Sequence, residues 1–415
     1  MPNSTIWNSI KTTIDQYDKD IVKINPSFAP KQRDIIELID FYWMNRFRDG
    51  EFDSTGFKKS FYNIVLNPSE VASKMIDLDT KDVKIVAEDG QSYYPSWIMS
   101  KDFKVWAKDR KNKDDKTFGQ LLNEIVYKFP KYGHILVKKA KDTIHLVPFQ
   151  NIRNKQDARN FMETDVLIEK HEYTAYQLRK QGWDKTDQII SKYTKDGKIV
   201  IYEAHGDIEN SNYNYFIIPE GGDNDDIMFF DKKDREDIYK ELKWDDIPGR
   251  AMGRGTPERL FEAQIAKNQN ENFLRTGLRW SSKHIFQTRD DTMAKNLITQ
   301  IENGDVLTVL SEITAVPLEE RNLPAYKLAD DKWDRNTADL TFAYNQVRGE
   351  NPPSGTPLGT SILQTNMSTQ FYDLKREDLG MFLKDILNDW IIPSFKSQKG
   401  KKHGLMLGEF DEDEL

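Results

Sequence analysis

The chain has 415 residues, room for about two to three domains at roughly 150 residues each. Hydrophobic residues make up 38% and charged residues 31%, against about 45–50% and 25% in ordinary globular domains, yet 12% aromatics exclude a disordered chain. With no cysteine, disulfide scaffolds, thiolate metal sites and cysteine nucleophiles fall away, and a net charge of −8 argues against a dedicated nucleic-acid-gripping domain.

Five of the acids lie at Glu409, Asp411, Glu412, Asp413 and Glu414, so the rest of the chain is close to charge balance. The opening MPNSTIWNSI is polar, which predicts no signal peptide. No apolar run approaches the ~18 residues that cross a bilayer. A cytoplasm-like compartment is expected.

From the N-terminus, Pro30 opens a helix through Ile35, Ile36, Ile39, Tyr42 and Phe47, which Asp49-Gly50 ends. Between Thr117 and Phe129, the residues Phe118, Leu121, Leu122, Ile125, Val126 and Phe129 share one helical face. The following YGHILVKKAKDTIHLVPF reads as a β-hairpin. Ile135 and Val137 alternate on one strand, Ile144 and Leu146 on the other, and Lys141-Asp142 makes the turn. These segments predict an α+β body over 1–250, with a strand in KIVIYEAHG and a Gly/Asp-rich loop in EGGDNDDIMFFDKKDRED.

Gly249, Gly253 and Gly255 then punctuate a turn into a long helix, with Thr256 as cap, Pro257 in the first position and Glu258 against the dipole. Running to about Ser282, this helix would span roughly 40 Å. Its middle, KNQNEN at 267–272, is polar all round and excludes a core-facing role. It reads either as a solvent-bridging stretch or as a side packed on polar faces of identical neighbours. A small α/β module follows over 284–326: a strand at His284–Gln287, a helix at 291–301, a strand at 305–310, and loops at Pro317 and Pro324. A second helix covers 328–347 with Trp333, Leu340, Tyr344 and Val347 on one stripe. RGENPPSGTPLGTS is a loop. A last long helix over 361–392 carries Leu363, Met367, Phe371, Leu374, Phe382, Ile386 and Trp390, and a polar tail over 393–415 ends the chain.

Catalytic signatures are missing. The sequence contains no GxxxxGK[ST], GxSxG or HExxH. Gly253-x-Gly255 lacks a third glycine and reads as a turn. The six histidines show no ligand spacing, although His134 and His145 are placed to face each other across the hairpin as a polar pair. Asp223-Asn224-Asp225-Asp226 lacks the calcium-loop pattern and reads as a solvated acidic loop. Neither an enzyme nor a cofactor is expected.

The succession of elements from Trp244 to Ile392 resembles the central part of the portal (head-to-tail connector) proteins of tailed bacteriophages. The resemblance rests on GRAMGRGTPERLFEAQIAKNQNENFLRTGLRW at 249–280, NGDVLTVL at 303–310 and the segment from Asn336 to Pro393, including Ser361–Gln364 and Lys375-Arg376-Glu377. The GRAMGRGTPE form is similar to portals of crAss-like phages, and the block at 118–152 fits a portal wing. It implies an α+β, mainly helical portal fold: a wing over 1–250, a stem helix over 256–282, a clip over 284–326, a second stem helix over 328–347, a tunnel loop over 348–360, and a helix above it over 361–392. It further implies a ring of about twelve copies, since such oligomers close by rotational symmetry. Duplex DNA would pass through the ring. Its expected partners are the terminase large subunit, neck and tail adaptors and the major capsid protein, with no membrane, and its place is the virion, reached by assembly in the host cytoplasm.

Within that reading the tunnel loop presents Arg348, Gly349, Glu350, Asn351, Ser354, Gly355 and Thr356 to DNA, unless it is an ordinary surface connection. Lys267, Arg275, Arg279 and Lys283 form basic rings along the stem. The competing role for them is pairing with acids of a neighbouring subunit, for which Glu258, Glu262 and Glu271 are available. In the clip, Arg289, Asp290, Asp291, Lys295 and Asn296 are expected to dock the motor and the adaptor. The alternatives are a metal-dependent nucleic-acid-processing enzyme or another ring of the virion neck.

Overall fold

The computed structural model describes residues 6–20, 32–53, 56–81, 83–86, 93–140, 143–155, 158–208, 211–281, 285–287, 289, 314–316, 323–344, 347 and 357–393. In chain order these begin with helices α1 (Ile6–Asp20), α2 (Gln32–Trp43), α3 (Leu66–Met75), α4 (Tyr93–Asp109) and α5 (Phe118–Tyr132). The strands β1 (His134–Ala140), β2 (Thr143–Leu146), β3 (Ile152–Arg153) and β4 (Val166–Tyr173) follow. Two short helices, α6 (Ala175–Gln181) and α7 (Thr186–Tyr193), lead to β5 (Ile199–Gly206), β6 (Tyr215–Pro219), β7 (Phe229–Asp231), α8 (Arg235–Ile238) and β8 (Tyr239–Lys243). The remainder is α9 (Thr256–Arg259), α10 (Phe261–Ser281), β9 (Ile285–Gln287), β10 (Thr314–Val316), α11 (Leu323–Thr341) and α12 (Leu358–Ile386), which runs into a π-helical turn at Leu387–Ile391.

The molecule is mixed α+β, mainly helical, with antiparallel sheets, and it divides into two units. The first comprises Met1–Met44, Val65–Leu260 and Ala338–Leu415; the second comprises Asn45–Ile64 and Phe261–Thr337. The division expected near residue 250 thus falls at Leu260, and the segment 45–64 leaves the N-terminal body for the second unit.

In the first unit, α5 forms as its apolar spacing predicts. Thr117 Oγ1 accepts from the Gln120 N–H, and Gln120 Oε1 accepts from the Thr117 N–H over 2.9 Å, closing a capping box. Gly133 ends the helix in the left-handed conformation, with φ of 71°. A side chain is excluded there twice over, because a Cβ on Gly133 would lie 2.0 Å from the Gly255 nitrogen. The face of α5 packs with Phe103 and Trp106 of α4, Ile135 and Val137 of β1, Trp244, and Phe382, Ile386 and Trp390 near the end of α12.

The hairpin β1–β2 forms in the expected register, Val137 opposite Leu146, and β8 adds a third strand on the far side of β1. His134 does not face His145. It lies opposite Lys243 of β8, and His145 lies opposite Lys138. The segment whose pattern weakens after residue 195 contributes to a second sheet, ordered β3-β4-β5-β6-β7. One face of that sheet, including Val166, Ile168, Ala204, Phe216 and Ile218, packs on Ile10 and Tyr17 of α1.

Gly253 and Gly255 are packing glycines as well as turn glycines. A Cβ on Gly253 would meet the Gly133 carbonyl at 2.2 Å, and one on Gly255 the Pro130 carbonyl at 2.6 Å. Gly255, not Thr256, is the N-cap of α9; Thr256 is buried and does not cap. The buried Arg250 joins this turn to the helix, pairing with Glu258 through both guanidinium ends and donating to the Met252 and Gly253 carbonyls. The single long helix expected from 256 is interrupted at Leu260, whose φ of −102° and ψ of 4° are not helical.

In the second unit the polar middle of α10 finds an unexpected partner. Gln264, Asn268 and Asn272, four residues apart on one face, hold the backbone of an extended strap, Ser60–Ile64. Gln264 Oε1 accepts from the Ile64 N–H at 2.9 Å, Asn268 Oδ1 from the Tyr62 N–H at 3.0 Å, and Asn272 Oδ1 from the Ser60 N–H at 2.8 Å. In return Gln264 donates to the Tyr62 carbonyl and Asn272 to the Ser60 carbonyl. The match is geometric: four helical residues rise about 6 Å, and two extended residues span about 6.6 Å. Gln264 is wholly buried by this contact, which corrects the solvent-bridging reading of KNQNEN.

Helix α11 starts at Leu323 and ends at Thr341, several residues earlier at each end than expected, with Pro324 in its first turn. Phe342, at φ of 57°, stops it. The Thr341 and Phe342 carbonyls accept from Tyr372 Oη and Ser368 Oγ of α12 at 2.8 and 2.6 Å.

Candidate functional site

Strands β4 and β5 pair with Glu169 directly opposite Glu203. Two like charges facing across a ladder are unfavourable. The fold relieves them with Lys138 of β1, whose Nζ lies 3.0 Å from Glu169 Oε1 and in closer contact with Glu203 Oε2. His171, two residues along β4 and on the same side, places Nε2 3.2 Å from Glu169 Oε2 and 3.3 Å from Glu203 Oε1. The hydroxyls of Tyr239 and Tyr215 donate to Glu169 and Glu203, the latter over 2.7 Å. All six residues are buried or nearly so.

Burial works against each charge, and the opposite charges win. It would raise the Glu169 carboxyl, yet Lys138 and His171 hold it down to about 2. Glu203 is likewise lowered well below the ordinary carboxylate value. Burial would lower His171, but the two glutamates raise it to about 9. At neutral pH the cluster therefore sums to zero: two carboxylates, one ammonium, one imidazolium.

Glu169, His171 and Glu203 are the one group among the described residues whose ligand atoms converge closely enough to hold a metal ion. The fit is poor. An ion would have to displace the Lys138 ammonium from between the carboxylates and remove the His171 proton. The arrangement is an internal ion-pair knot joining the two sheets of the first unit.

The other titratable groups singled out from the sequence are also engaged. His134 is wholly buried, stacked on Phe161 at 4.6 Å, with Nε2 2.9 Å from Glu241 and Nδ1 accepting from the Gly253 N–H. Burial lowers its pKa and keeps it neutral. His145 lies 2.7 Å from Asp114. In the acidic loop, Asp226 accepts from Lys192, Tyr193 and the Asp223 N–H, so its charge is already answered.

Of the four basic residues expected along the stem, Lys267 departs from that role. It is 2% exposed, with Nζ 2.7 Å from Asp330 and 2.9 Å from Asp334 of α11. Its partners are acids, as the competing reading has it, but they belong to its own chain and are not Glu258, Glu262 or Glu271. Burial opposes the charge, and the two aspartates outweigh it and raise the pKa. Arg275 is exposed; Arg279 is exposed with its guanidinium over the Phe57 ring. Lys283 lies outside the described residues, as do Asp290, Asp291, Lys295 and Asn296 of the clip and Arg348, Gly349, Glu350, Asn351, Ser354, Gly355 and Thr356 of the tunnel loop. Arg289 is described and exposed, and β9 and β10 pair antiparallel beside it in the chain.

Helix α12 has two apolar faces. Ser368, Tyr372, Leu379, Leu383 and Ile386 are buried on one. Leu363, Met367, Leu374 and Met381 line a face turned well away from it and are 64%, 50%, 56% and 54% exposed. Three of the apolar residues expected on a single buried stripe, Leu363, Met367 and Leu374, are thus on the bare side. No helix of the described residues is long and apolar enough to cross a membrane.

No family model matches the chain, and no curated protein matches it.

Proposed function

We propose that the chain is the portal subunit of a tailed bacteriophage. About twelve copies close into a ring at one capsid vertex, the passage for genome packaging and ejection, where the terminase, the neck and tail adaptors and the capsid protein dock. The observation that carries this reading is the bare face of α12. Four large apolar side chains aligned on one side of a 29-residue helix are a surface that a lone subunit leaves wet and a neighbouring copy would cover. The sequence order of glycine turn, polar-centred helix, small α/β module, second helix, Gly/Pro loop and long helix supports it.

The enzyme alternative rests on Glu169, His171 and Glu203, and their neutralisation by Lys138 leaves it without a reactive carboxylate. The deciding experiment is the native mass of the full chain together with its projection by electron microscopy. A ring of about twelve subunits with a central channel is expected. A monomer that persists at high concentration would sink the proposal.

A further inference from the structure

The strap that α10 holds also covers that helix's cations. Gln264, Asn268, Asn272, Arg275 and Arg279 follow one another at spacings of three and four and share a helix face. The strap runs antiparallel along this face: Ile64 at Gln264, Tyr62 at Asn268, Ser60 at Asn272, and Phe57 at Arg279. Lys267 sits at the edge of the face, and the Tyr62 ring lies over its Nζ at 4.8 Å. Tyr62 and Asp330 with Asp334 therefore enclose the ammonium from two sides.

The strap's attachment is chemically distinct from the packing of the core. Five hydrogen bonds from side-chain amides hold its backbone, while Phe52, Phe57 and Tyr62 remain 63%, 46% and 51% exposed. Such a contact orders a backbone yet buries little apolar surface, the condition under which a segment opens locally without global unfolding. Its foot is a closed loop in which the Lys59 N–H donates to the Glu51 carbonyl and the Asp53 N–H to the Phe57 carbonyl, so release at the amides leaves the strap's base intact.

We infer that Ser60–Ile64 is a releasable cover over the polar face of α10, and that its opening converts Lys267 from a sealed cation into an exposed one beside Arg275 and Arg279. This inference does not depend on the portal reading, because it concerns one chain.

The test combines hydrogen exchange with lysine acetylation on the full chain. In the wild type, the amides of Ser60, Tyr62 and Ile64 should be protected but should exchange at least about tenfold faster than those of the α5 core. Lys267 should acetylate at least about tenfold more slowly than the exposed Lys327 and Lys332 of the same unit. Asn268→Ala with Asn272→Ala should deprotect the three amides and raise the Lys267 rate about tenfold or more, leaving α5 unchanged. Tyr62→Ala, which keeps the amide bonds, should raise the Lys267 rate alone, and it serves if the double variant does not fold. Wild-type strap amides that exchange only with global unfolding would overturn the inference. So would a Lys267 that stays unreactive after the strap amides have become fast.

Discussion

At Lys138, one ammonium separates two carboxylates that strand pairing has placed face to face, and it reaches them from a different sheet. Replacing it with Met removes the attraction and leaves the burial cost of both glutamates. Lys138→Met should cost about 3–5 kcal/mol in urea unfolding, and adding Glu169→Gln and Glu203→Gln should recover part of the loss. A full-size loss in the triple variant would show that packing, not charge, is what Lys138 supplies. His171 gives a pH signature with a definite sign. Its pKa is raised from 6.5 to about 9, so its stabilisation is complete below 6.5 and lost as pH rises through 9. Glu169 is lowered from 4.5 to about 2, so its share is complete above 4.5 and lost as pH falls towards 2. Wild-type stability should therefore decline from pH 6.5 to 9, by about 3 kcal/mol at most from this residue, and His171→Gln should flatten that limb. An unchanged slope in the variant would place the alkaline loss elsewhere.

Helix α5 shows how far local chemistry reaches. Its start is a reciprocal cap, its end a left-handed glycine, and both are readable from Thr117, Gln120 and Gly133. Thr117→Ala should destabilise the first unit by about 1 kcal/mol in chemical denaturation, with the m-value unchanged. No measurable change would mean that the tertiary contacts of α5 hold its first turn without the cap. Helix α10 shows the limit of the same approach. Its amides at 264, 268 and 272 lie on one stripe that any helical projection reveals, but a polar stripe says nothing of what it meets. The partner is an extended segment about 200 residues away, and its match to the helix is one of repeat distance, not of side-chain type.

For the whole molecule, the decisive surface is the one that the subunit does not use. Met367→Glu with Leu374→Glu places two charges on the bare face of α12, touching none of the residues buried on the other side. The isolated subunit should keep its unfolding midpoint within about 0.5 kcal/mol, the range of surface changes, while assembly measured by native mass is lost. Rings that form normally from this variant would remove α12 from the subunit interface. The sequence stripe through Leu363, Met367, Phe371, Leu374, Phe382, Ile386 and Trp390 merges both faces because they meet at Phe371. Only the positions of α3, α5 and α11 show which residues the subunit itself covers.

By itself the sequence determined the α+β class, the hairpin at β1–β2, the course of α5 and the existence of long helices after the glycine turn. These follow from interactions within a few residues: apolar spacing, caps and breakers. The tertiary structure decided the ion-pair knot, the strap on α10, the burial of Lys267 and the two faces of α12. Glu169-x-His171 on β4 and Glu203-x-His205 on β5 were the visible trace of the knot, charged residues alternating inside apolar strands. Their meaning depended on Lys138, which lies 31 and 65 residues away from the two glutamates it separates. Glycines 133, 253 and 255 were legible as turns, but their closer requirement, backbone against backbone with no room for a Cβ, exists only once α5 and the turn before α9 are brought together. Pairings of this kind rest on which distant segments approach, and neither residue type nor local periodicity carries that information.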